Sequence, residues 1–184
     1  MTPHPFSLTC PAHMLYEDTG IPFVEFLFTP RGFEDVHPLI IAYYTAYLAS
    51  LDRICREILL PKEKAAYEKD TDPRKRFRIR KVCLSLALSA RTDGEYLTVR
   101  RILTRSQGTE KTTHQVGEVF SLATGRCIPL SHFAGHKPVR RDNKKKVAKK
   151  HLRHGYTLQD GVPYLLLEAG LLPLLTKSNE RPHQ

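Results

Sequence analysis

No apolar run in this 184-residue chain approaches the ~20 residues that cross a bilayer, so no membrane span is expected. Its opening, MTPHPFSLTCPAH, has neither the basic start nor the apolar core of a secretory signal, and the expected compartment is the cytoplasm. Four dispersed cysteines, Cys10, Cys55, Cys83 and Cys127, form no CxxC pair and read as reduced, mostly buried thiols. The motifs G-x-x-x-x-G-K-[ST], G-x-G-x-x-G after a strand, G-x-S-x-G and H-E-x-x-H are all missing. No pair of carboxylates stands out in an apolar setting, so no general acid or base is assigned. Cys127, His132, His136, His151 and His154 are zinc-type residues, but they lack the paired spacing of a ribbon site. The expectation is therefore no catalytic residue, no cofactor and no metal.

Charge is plentiful and unevenly spread. Positions 1–73 hold 6 Lys/Arg against 11 Asp/Glu, whereas positions 74–184 hold 23 against 8, within an overall net charge of +10. Nine of those cations lie between His136 and His154, against the single acid Asp142. Arg140, Arg141, Lys145, Lys146, Lys149, Lys150 and Arg153 are the candidate polyanion-binding residues, because clustered cations neutralise phosphates and release counterions. Arg74, Lys75, Arg76, Arg78 and Arg80 could extend them. Phe133 and Tyr156 flank the run and are the aromatics within reach for base stacking.

The pattern of apolar residues predicts one α+β domain over 21–176, preceded by a loosely attached arm (1–20) and followed by a disordered tail (177–184). Ile21–Phe28 reads as a strand, closed by the turn residues Thr29-Pro30-Arg31-Gly32. A helix is predicted from Val36 to Leu60, with Asp35 as its N-cap and Pro38 in its first turn. Its buried stripe is Ile40, Tyr44, Tyr47, Leu48, Leu51, Cys55 and Ile58, and Pro61 ends or bends it. A continuation through KEKAAYEKD is open.

Val82, Leu84, Leu86 and Leu88 alternate as a strand, with a β-bulge expected near Arg80-Lys81. Asp93-Gly94 turns the chain into a partner strand from Tyr96 to Thr104. A polar loop, Arg105–Lys111, then leads to a strand whose His114, Val116, Glu118, Phe120 and Leu122 share a face. His136–Gly155 has helical tendency, and VPYLLLEAGLLPLL reads as a last strand with a continuation broken at Pro173. The fold class is thus α+β: a mainly antiparallel sheet packed against one long helix, with a short basic C-terminal helix.

The Tyr43-Tyr44 pair on the helix, the phrase FSLATGRCIPLSHF and the closing segment Gly155–Leu175 together resemble a bacterial domain of unknown function. That domain also forms the extracellular, lysozyme-binding part of the RsiV anti-sigma factor. Phe120, Leu122, Thr124, Gly125, Arg126, Ile128, Leu130 and Phe133 carry the match. The resemblance implies an antiparallel sheet covered by the long helix. Taken together, the sequence points to a non-enzymatic binding module for a protein partner. Polyanion or nucleic-acid binding through 136–154 is the alternative, and an enzyme of unrecognised type the second.

Overall fold

A computed structural model describes residues 6, 11–72, 81–133, 137–138, 155–167 and 170–175. The first strand, β1 (His13–Asp18), pairs antiparallel with β2 (Ile21–Arg31). Thr19 and Gly20 both take positive φ, as the tightest hairpin turns require. Residues read as part of a loose arm are therefore a sheet edge, with Tyr16 buried. The register shifts between Tyr16, opposite Val24, and Glu17, opposite Pro22. The extra residue on β2 is Phe23, and the bulge lets Phe23 and Val24 both turn inward.

A 32-residue helix follows, made of α1 (Pro38–Ile54), a π turn (Cys55–Leu59) and α2 (Leu60–Lys69). Its cap is His37 rather than Asp35. The His37 Nδ1 accepts the Leu39 N–H at 3.2 Å and the His37 carbonyl accepts the Ile40 N–H at 2.9 Å. Asp35 instead sits at φ 56°, in the left-handed region, and only redirects the chain. Pro61 does not end the helix, because the turn before it widens. The Leu60 N–H reaches back five residues to the Cys55 carbonyl, and the ring is accommodated without a break. That wider turn changes which side chains face inward. Leu59 is buried whereas Ile58, expected inside, is 58% exposed, and Tyr47 is half-buried.

Three further strands, β3 (Val82–Asp93), β4 (Tyr96–Gln107) and β5 (Glu110–Ser121), complete a five-stranded mixed sheet in the order β1-β2-β3-β4-β5. Two-residue connections make β3–β4 and β4–β5 antiparallel hairpins, which leaves β2–β3, joined through the helix, as the parallel pair. The expected loop over Arg105–Lys111 is strand except for Gly108 and Thr109. Arg105, Ser106 and Gln107 are half-buried in β4, whereas Glu110 to His114 of β5 are exposed. On β5 His114 is exposed and Val116 and Glu118 are half-buried, whereas Gly117, Val119 and Phe120 are buried, so both faces of the strand are covered at its end.

A second, four-stranded sheet has the order β6-β9-β8-β7. It comprises β6 (Lys137–Pro138), β7 (Tyr156–Gln159), β8 (Val162–Leu167) and β9 (Gly170–Leu175). The single closing strand read from the sequence is therefore a hairpin, with Tyr164 opposite Pro173. The expected bulge at Arg80 and most of the expected basic helix lie outside the described residues; its Lys137-Pro138 is strand.

The chain divides into two compact units. The first holds 1–34, 41–87 and 102–114. In it Tyr44, Leu48, Leu51, Cys55 and Leu59 of the helix are buried together with Val24, Phe26, Phe28, Val82, Leu84 and Leu86 of the sheet. The second holds 35–40, 88–101 and 115–184, with a core in which Val119, Tyr156 and Leu158 meet Tyr96, Ile128, Leu130 and Phe133.

Candidate functional site

Arg140, Arg141, Lys145, Lys146, Lys149, Lys150 and Arg153 lie outside the described residues, as do Arg74 to Arg80. What the second unit does show is how the chain leaves and re-enters that basic run. A 3-10 turn at Leu130–Phe133 places Phe133 edge-on to Tyr156, with ring centroids 5.8 Å apart. Tyr96 joins them, 5.5 Å from Phe133, and its hydroxyl lies 3.3 Å from His132 Nε2. The Tyr156 hydroxyl donates to the Ile128 carbonyl at 2.6 Å. The two aromatics expected to be within reach for base stacking thus pack on each other, and Tyr156 is buried.

Upstream of this cluster, the phrase FSLATGRCIPLSHF turns where the sequence places the turn. The Gly125 N–H bonds the Ser121 carbonyl and the Ser121 N–H bonds the Arg126 carbonyl, both at 2.9 Å. Gly125, at φ 65°, abuts the His37 ring closely enough that a Cβ would collide with its Nδ1. Of the zinc-type set, Cys127 is exposed and pairs across from Phe120, and His132 belongs to the aromatic cluster. The other three lie outside the described residues, and among the described residues no three His, Cys, Asp or Glu side chains converge.

A polar cluster joins β1 to the helix: Asp52 and Arg56 have legible i,i+4 spacing, but Tyr16, 36 residues from Asp52, is a partner that the sequence did not reveal. Asp52 accepts the Tyr16 hydroxyl at 2.8 Å, and Arg56 Nε reaches both of its oxygens at 2.9 and 3.1 Å. The guanidinium also lies 5.1 Å from the centre of the Tyr16 ring. Burial, then the hydrogen bond to Asp52, pushes the Tyr16 hydroxyl well above its usual range. Burial pushes the Cys55 thiol up to about 11. Arg56 holds Asp52 below the usual carboxylate range. Nucleophilic thiols and general bases are tuned the opposite way, toward neutrality. Chemically the cluster is a clamp that fastens an edge strand to the helix.

The helix flank is different. From Pro38 to Leu51 it carries no Asp, Glu, Lys or Arg. Among the described residues, Leu39, Tyr43, Ile54 and Ile58 are four of the five large hydrophobics that stay exposed, at 56%, 45%, 38% and 58%. At ~100° per residue, Leu39, Tyr43, Ala46, Ser50 and Ile54 fall on one flank. The π turn winds less per residue, so Ile58 stays on that flank as well. The Ser50 hydroxyl donates to the Ala46 carbonyl at 3.0 Å, so the middle of the flank presents a satisfied polar group. Helical spacing by itself assigns this element only to the core, and the missing charges were the available signal of a second apolar face.

No family model matches the chain, and neither a curated protein nor a solved structure is found to be similar to it. No helix among the described residues is long and apolar enough to cross a membrane.

Proposed function

We propose that this chain is a binding module that recognises a protein partner through the apolar flank of its long helix. One observation carries the reading. A surface helix ordinarily turns charged residues to water, and this one leaves Tyr43, Ile54 and Ile58 exposed on one side. The upward-shifted Cys55 and Tyr16 weigh against the enzyme alternative. Kinship with the lysozyme-binding domain of RsiV rests on the phrase from Phe120 to Phe133 and belongs to the same proposal, as do a short basic C-terminal helix and a cytoplasmic location.

The test is affinity capture from a native lysate with the parent chain, Tyr43→Glu and Ile54→Lys side by side. Loss of a defined protein band in both variants, with the fold intact by circular dichroism, supports the reading. Identical captures by all three overturn it.

A second reading, polyanion binding through 136–154, is supported by the sequence, which holds nine cations between Phe133 and Tyr156, two residues whose rings touch. Retention of nucleic acid that falls steeply between two salt concentrations supports it. No detectable affinity for mixed DNA and RNA at low salt removes it.

A further inference from the structure

The exposed flank of the helix has a symmetry of its own. Leu39 and Ile58 share a midpoint with Tyr43 and Ile54, and it falls between Leu48 and Ala49. Large side chains thus stand at both ends of the flank, four residues apart in each case, with Ala46 and Ser50 between them. A two-fold axis at that midpoint, perpendicular to the helix, would lay a second helix antiparallel on the first. Tyr43 of one copy would then meet Ile54 of the other, and Leu39 would meet Ile58. Two-fold interfaces require such self-complementarity, because each patch must fit its own rotated image. The small central residues let the backbones approach, and the Ser50 hydroxyl already has its acceptor in the Ala46 carbonyl.

Charge agrees with this register. The first turn of α1 itself contains no acidic residue, with Glu34 and Asp35 ahead of it, and a further negative charge beside that turn is favourable to its dipole. The same axis brings the exposed Glu57 of one copy beside that first turn in the other. Nothing on the flank opposes like to like, because its six residues are uncharged.

We infer that the flank's occupant is a second copy of this chain, paired antiparallel through Leu39, Tyr43, Ala46, Ser50, Ile54 and Ile58. The inference rests on the reading above that this flank is the binding surface, and it names the partner. Six residues a side is well short of the roughly 20–30 in a stable complex. The pairing is accordingly weak and reversible.

Sedimentation equilibrium of the full chain from about 1 to 500 µM, a range suited to weak pairing, tests it. The parent should pass from monomer to dimer. Tyr43→Glu and Ile54→Lys should each raise the midpoint more than about tenfold, a loss of about 1.4 kcal/mol or more. The variant carrying both substitutions should restore the dimer, because each introduced carboxylate then faces an introduced ammonium across both symmetric contacts. A parent that stays monomeric throughout overturns the inference, and so does a double variant no better than the singles, since only this register pairs the two sites. The two readings fail separately. A monomeric parent whose capture of another protein is lost in both single variants removes self-pairing and leaves the binding surface standing. Insensitivity of both measurements to positions 43 and 54 removes both.

Discussion

At the residue scale, the carboxylates of Asp52 and Glu25 set how the protein responds to acid. Arg56 lowers the first, and Lys81, then His13, lower the second, against the opposing effect of burial. Glu25 is held at 2.8 Å by each of Lys81 and His13. A folded-state pKa below the unfolded one gives stability that is complete above the ordinary values of 3.8 and 4.5 and is lost as pH falls through the folded values. The melting temperature should therefore drop between about pH 5 and pH 3, the window of lowered carboxylates. Asp52→Asn and Glu25→Gln should each melt lower at neutral pH and flatten that acid limb; an unchanged slope in thermal scans would contradict the assignment. Cysteine chemistry gives a second check. Alkylation of the native protein at about pH 8 followed by mass spectrometry should modify exposed Cys127 and spare Cys55, which is buried and shifted up to about 11. Equal labelling of the two would place Cys55 elsewhere. The Asp52–Arg56 pair has legible i,i+4 spacing, but the cluster of His13, Glu25 and Lys81 was not legible because its members come from distant stretches of sequence. Hydrophobic periodicity says which way a side chain faces, but not which residue lies across from it.

At the scale of single elements, the long helix shows where pattern reading succeeds and where it stops. Ile40, Tyr44, Leu48, Leu51 and Cys55 are buried as their spacing predicts, because an α-helix repeats its face every 3–4 residues. The agreement fails at Ile58, where the π turn ahead of Pro61 breaks that period. A widened turn leaves no mark in composition, and only the proline hinted at it. Two substitutions measure the consequence. Leu59→Ala should destabilise by about 2–4 kcal/mol, as removal of a buried leucine does, while Ile58→Ala should stay within about 0.5 kcal/mol. Equal losses in denaturant titrations would restore the unbroken register. Leu51→Asp places a charge in the core and should unfold or aggregate the chain; a variant melting within a degree or two of the parent would contradict the helix placement. The hairpin at Asp93-Gly94 and the turn at Thr124-Gly125 were legible because each contains a glycine with positive φ. The split of the last apolar run into β8 and β9 was not read, although Glu168-Ala169-Gly170 interrupts the leucines between the two strands.

At the scale of the molecule, the α+β class follows from one helical period set among several two-residue periods. The two-sheet arrangement does not, because it depends on which strands find each other. Gly117 records such a meeting: a Cβ there would strike the Leu166 side chain and the Tyr156 carbonyl. Gly117→Ala should lower the melting temperature by several degrees without changing the helix signal in circular dichroism, and an unaltered melt would show that the strands give way. The edge-on contact of Phe133 with Tyr156 has a further consequence for engineering. Two stations of the chain 23 positions apart touch, which makes the stretch 139–154 between them a candidate for replacement. Exchanging it for about eight glycines and serines lengthens no closure and incurs little loop entropy. The shortened chain would separate the protein's architecture from its positive charge in a single molecule.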